Sequence, residues 1–114
     1  MDSKSIKELA VELIVEITTV CDNIKGRSVF TNQLLRACSS IGANSHEAKY
    51  AQSRADFVHK LEIALKECYE TEYWLELMDR AEIFPDVSAF IHSCGVIRKM
   101  LISSINTAKQ NIDK

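Results

Sequence analysis

Four cysteines, one in each quarter of the chain, offer the most consequential chemistry: Cys21, Cys38, Cys68 and Cys94. Four thiolates meeting about 2.3 Å from one ion would make a structural zinc site. The spacing argues against it. No C-x-x-C pair occurs. Counting 1.5 Å per residue puts Cys21 near the end of a first helix, and Cys38 and Cys94 roughly 13–15 Å into theirs. All four fall within apolar rows, where a free cysteine behaves as a small hydrophobe. No metal is expected. A di-iron carboxylate centre would need two Glu-x-x-His pairs and two further glutamates. The chain offers only Asp56-Phe57-Val58-His59, once. His46 and His92 have no motif around them and read as surface or boundary residues. No G-x-x-x-x-G-K-[ST] or G-x-G-x-x-G is present, so no phosphate cradle is predicted. The expectation is a chain with no catalytic residue and no cofactor, and therefore not an enzyme.

One binding chemistry remains open. Lys25, Arg27, Arg36, Lys49, Arg54, Arg98 and Lys99 would form a basic patch for RNA or DNA if the fold gathered them, with phosphate contacts as the main source of affinity. The net charge of -2 gives no global attraction to nucleic acid or to anionic lipid.

The elements that must position these residues are helices. The chain has 114 residues, 46% hydrophobic and 26% charged, which suits one globular domain spanning residues 1–114. Only 3 glycines and 1 proline leave too few turn residues for a β-rich fold. Apolar residues recur at three- and four-residue steps in four segments, about 5–24, 29–50, 53–82 and 86–112. The first carries Ile6, Leu9, Ala10, Leu13, Ile17, Val20 and Ile24, and stops at Lys25-Gly26-Arg27. Ser28 is the expected N-cap of the second, whose row is Phe30, Leu34, Cys38 and Ile41. Its small-residue run, Ala37 to Ser45 around Gly42, reads as a close helix crossing, a ligand cleft or a kink. Ser53-Arg54-Ala55-Asp56 resembles a capping box opening the third, with Phe57, Leu61, Ala64, Leu65, Cys68 and Leu75 as its core stripe. The fourth follows Pro85, expected in the first turn, and runs from Val87 through Phe90, Cys94, Ile97, Leu101, Ile105 and Ala108. Short loops between long helices predict an all-α, antiparallel, up-down-up-down four-helix bundle.

Net charge alternates along the chain. Residues 1–24 carry two basic and five acidic side chains, residues 25–50 four and one, residues 51–82 four and eight, and residues 83–114 four and two. Neighbouring helices in such a bundle are then opposite in sign, which helps to specify topology. Some apolar residues lie off the core rows at 100° per residue. They are Val11 and Val15 on the first helix, Ile63, Trp74, Leu77 and Ala81 on the third, and Val96 and Met100 on the fourth. Secondary apolar stripes on three helices predict an interface, and homo-oligomerisation is the expected use. The opening residues Met1-Asp2-Ser3-Lys4 lead into a glutamate-rich segment, not an apolar signal region, and no apolar run is long enough to span a bilayer. A cytoplasmic protein without a membrane role, its thiols reduced, is expected.

Several runs carry a family resemblance. They are Leu34-Leu35-Arg36, Ser40-Ile41-Gly42-Ala43-Asn44, Ser53 to Leu61, Ile63-Ala64-Leu65-Lys66-Glu67 and Glu70-Thr71-Glu72-Tyr73-Trp74-Leu75. Together they resemble the bacterial four-helix-bundle family named for open reading frames in intervening sequences of 23S rRNA genes, also labelled S23 ribosomal protein. Ser45-His46 departs from the Ile-Ala usual there. The resemblance implies an up-down bundle and a ring-like homo-oligomer, with a pentamer as the expected ring. It implies no catalytic residues. A related retroelement accessory protein binds nucleic acid through a strongly basic surface, from which this chain departs at -2. Two functions are therefore expected to compete: a non-enzymatic oligomeric scaffold or interaction module, and an RNA- or DNA-binding accessory protein.

Overall fold

The computed structural model describes residues 3–112. Asp2, Asp113 and Lys114, which enter the charge tally, lie outside them. Four helices follow in order: α1 Ile6–Cys21, α2 Ser28–Ala48, α3 Arg54–Arg80 and α4 Ser88–Ile112. Backbones approach closely from α1 to α2, α2 to α3, α3 to α4 and α4 back to α1, and across neither diagonal among the described residues. This is the antiparallel up-down-up-down bundle that the short loops predict.

Helix ends follow local hydrogen bonding more closely than apolar periodicity. Ser5 caps α1, its hydroxyl accepting from the Glu8 amide at 3.1 Å. The helix stops at Cys21, three residues before the apolar row does. Val20 and Ile24 still pack on the core, Ile24 from the loop. Ser28 is not the cap of α2; Arg27 holds that place without a side-chain bond. Ser53 caps α3 as expected, accepting from the Asp56 amide at 3.1 Å. The Asp56 carboxylate reaches back to the Gln52 amide at 3.2 Å, one residue earlier than a standard capping box. Pro85 lies outside the first turn of α4. The helix begins at Ser88, whose amide donates to Asp86 Oδ1 at 2.9 Å. That bond holds the Asp86 carboxyl below its ordinary range.

α2 runs unbroken through Gly42. A Cβ there would stand 3.4 Å from the Cβ of Ala10, so the small-residue run serves a close crossing with α1. At the Ser45-His46 departure the helix also continues, with the Ser45 hydroxyl donating to the Ile41 carbonyl at 2.8 Å.

Glu82 closes α3 in the left-handed region at φ 58. The amide of Ile83 returns to the Met78 carbonyl at 2.8 Å and that of Glu82 to the Asp79 carbonyl at 3.0 Å, the pattern of a Schellman motif. A side chain at this position costs roughly 1 kcal/mol that glycine would not. Glu82→Gly is therefore expected to raise the free energy of unfolding by up to about 1 kcal/mol, read from the urea midpoint.

The core follows a three-four spacing. On α3 the buried positions Leu61, Ala64, Cys68, Thr71, Leu75 and Met78 repeat every seven residues, the spacing of knobs-into-holes packing. Phe57 and Leu65, placed in the stripe by sequence, are only half-buried; Val58, Glu67, Thr71 and Met78 are buried instead. Thr71 and Met78 continue the same seven-residue spacing, Thr71 as a polar side chain within an apolar row. α1 is the shortest helix and makes its smallest contact with α4. A groove of about 120 Å³ opens between them, floored by Leu13 and Ile97.

Candidate interaction surface

The interior is built from inert groups. All four cysteines are buried free thiols. Counting the rise along separate helices set them at different levels, yet Cys68 Sγ donates to the Cys94 carbonyl at 3.4 Å. Cys38 lies near enough to Cys68 and Cys21 to feel their charge. Antiparallel helices are offset from one another, so distance from each helix's own start does not give height in the bundle. Burial, with those neighbours, pushes the Cys38 thiol up to about 12. The hydrogen bond with Cys68, then burial, raise Cys94 as well. A thiol held protonated is a poor nucleophile. Among the described residues no three His, Cys, Asp or Glu side chains are placed to hold a metal. The Asp56-x-x-His59 pair is occupied otherwise: Asp56 caps α3, and His59 is exposed.

The raised thiol has a consequence for stability. The unfolded chain releases the Cys38 proton near pH 9.0, while the folded chain keeps it to about 12. Stability is therefore unaffected below pH 9 and falls between those values, on the order of 4 kcal/mol in total from this group. Urea titrations at neutral pH and at about pH 11 are expected to show a smaller loss for Cys38→Ala than for the wild type.

The outside holds more distinctive chemistry, centred on α3. Trp74 is half-buried against Phe30 of α2, with ring centroids 6.5 Å apart. Tyr73 meets it edge-on at 5.1 Å. The Trp74 Nε1 donates to Glu70 Oε2 at 3.3 Å. Glu70 also accepts from Arg36 of α2, which bonds Glu67 Oε2 at 3.1 Å. One turn before Tyr73, Tyr69 carries the Arg98 guanidinium 5.9 Å from its ring centre. Arg98 Nε also donates to Glu72 at 3.0 Å. Tyr69 and Tyr73 stay 52% and 54% exposed despite these neighbours. Exposed tyrosines beside tryptophan and arginine have the composition of a protein interface. The two tyrosines do not stand out in the sequence, because apolar stripes leave aside residues with polar tips. A search for Tyr at i and i+4 on an otherwise charged face would have found them.

The expected stripes fall on different surfaces. Val11 and Val15 are exposed on α1, at 45% and 59%. Trp74 and Leu77 are not free surface; both are half-buried and pack on the core, Trp74 against Phe30 of α2. Ile63 and Met100 are half-buried, and Ala81 is exposed just beyond the end of α3. Val96 lines the α1–α4 groove opposite Glu12 and Glu16. The eight residues thus fall on several faces, not one.

The seven basic residues are likewise dispersed. Lys25 and Arg27 sit in the α1–α2 loop at one end, lining a shallow depression of about 680 Å³ with Phe84 and Pro85. Lys49 and Arg54 flank the α2–α3 loop at the other end, about 30 Å away along α2. Arg36 and Arg98 are held by α3 carboxylates. Lys99 is exposed on α4. The alternating charges act unevenly: cross-helix ion pairs join α2 to α3 through Arg36 and Lys60, and α3 to α4 through Arg98 and Lys109. Among the described residues none joins α1 to another helix.

No curated protein shows significant similarity to the chain. A crystal structure from Bacteroides thetaiotaomicron, of a protein of unknown function from the S23 ribosomal protein family, does. It is 43% identical, aligns over 89% of this chain and 98% of its own, and superposes with a TM-score of 0.84. The model of the 23S rRNA-intervening sequence proteins matches residues 3–103. With nearly the whole bundle matched in sequence and in shape, the chain belongs to the 23S rRNA-intervening sequence protein family.

Proposed function

We propose that this protein is a non-enzymatic scaffold that works as a homo-oligomer. The observation that carries the reading is apolar and aromatic surface left outside a complete core. Val15, Tyr69 and Tyr73 are more than half exposed, whereas Leu34, Cys68, Leu75 and Leu101 are fully buried in the core. Surface of that kind is normally covered by a partner. A ring, a pentamer in the form the family resemblance suggests, is the assembly proposed. Association of folded chains stabilises them by mass action, so the Tm of the full chain is expected to rise with protein concentration. A Tm unchanged over a hundredfold concentration range, about two decades, would overturn the reading.

A second reading, nucleic-acid binding, has one observation in its favour. Lys49 joins Lys7 in a groove of about 220 Å³, and Arg54 lines the adjoining groove; Phe57 and Ser104 border both. A salt-dependent gel shift with structured rRNA fragments is expected under this reading. No shift at low salt would remove it.

A further inference from the structure

We infer that the contact between copies is heterologous: the outer face of α1 on one copy seats against the outer face of α3 on the next. This rests on the oligomeric reading above and adds which surfaces meet. Val11 and Val15 stand one turn apart on α1, and Tyr69 and Tyr73 one turn apart on α3. These pairs are the exposed large hydrophobics that recur at i and i+4 among the described residues, so two short apolar ridges of equal length are available. α1 and α3 occupy diagonally opposite corners of the bundle, with no close backbone approach between them among the described residues. A second copy is therefore needed to bring the ridges together.

Charge selects the same pairing. Glu8 and Glu16 beside the valines make no ion pair among the described residues, and Glu12 is held only by Lys4. On α3 the acidic excess is largely spent: Glu62, Glu67, Glu70, Glu72 and Glu76 each have a basic partner. Lys66, one turn before the tyrosines, has none among the described residues, and Arg98 lies over the Tyr69 ring. A valine ridge edged by the unpaired carboxylates of Glu8 and Glu16 thus faces a tyrosine ridge whose own carboxylates are paired and which carries Lys66. Two α1 faces would repel, so a two-fold contact between like helices is disfavoured. A contact between different faces at opposite corners propagates from copy to copy and closes as a ring when the rotation allows.

Sedimentation velocity on the full chain tests this with Val15→Glu and Tyr73→Glu, checked for helicity by circular dichroism. Each variant blocks one face and is expected to lose the wild-type oligomer boundary. Mixed, they are expected to form a one-to-one heterodimer, because the intact α1 face of the Tyr73 variant meets the intact α3 face of the Val15 variant. The pair Glu16→Lys and Lys66→Glu gives a second route: each alone weakens assembly, and the double variant restores it. A wild type that sediments as a monomer overturns both the oligomer and this contact. A wild-type oligomer that survives either blocking variant, or monomeric variants that fail to pair on mixing, overturns the α1–α3 contact while the oligomer stands.

Discussion

Replacing Leu75 with alanine is expected to lower the free energy of unfolding by about 2–5 kcal/mol. Leu75 is fully buried on α3, which touches both α2 and α4. Truncation removes the transfer free energy of its branched end and leaves a cavity that three rigid helices cannot fill. Against a typical total of about 5–15 kcal/mol, that is a large share. Leu77, two residues on and only half-buried, supplies the control. Urea unfolding should show Leu77→Ala costing much less. Equal costs would mean that the buried stripe of α3 is misassigned.

The second large effect is expected at Arg36. Its guanidinium spans the α2–α3 seam to Glu67 and Glu70. The Glu67 side chain is only 12% exposed, whereas Arg36 is 51% exposed. Removing the arginine leaves a nearly buried carboxylate without its partner, a loss of about 1–3 kcal/mol. Solvent reaching the guanidinium keeps the figure below that of a fully buried pair. Arg36→Ala should therefore destabilise by about that amount. Adding Glu67→Gln should recover part of the loss, since the stranded charge is then gone. A double-mutant cycle with no coupling would show that the seam is held by packing alone.

The bundle itself was readable from the chain because its signals are local. Apolar steps of three and four and Ser53 before Asp56 act within a few residues. Boundaries were less readable where a hydrogen bond competes with periodicity, as Asp86 does in delaying α4 past Pro85. The left-handed Glu82 carried no sequence signal, since glycine is the usual residue there. The candidate surface was only partly visible. Val11 and Val15 stood out as valines off the core row. Trp74 and Leu77 lie equally far off the core row, yet both pack partly against the core. Tyr69 and Tyr73 went unnoticed, and the pairing of α3's carboxylates depends on which helices are neighbours. Net charge per helix suggested a strongly acidic α3; the folded arrangement moves the unpaired acid to α1.

The central property of the folded bundle is that it is a protomer. Native mass spectrometry of the full chain measures it directly. The predicted result is a dominant species at an integer multiple of 12.9 kDa. A single species at 12.9 kDa, persisting at the highest concentration that stays in solution, would contradict it.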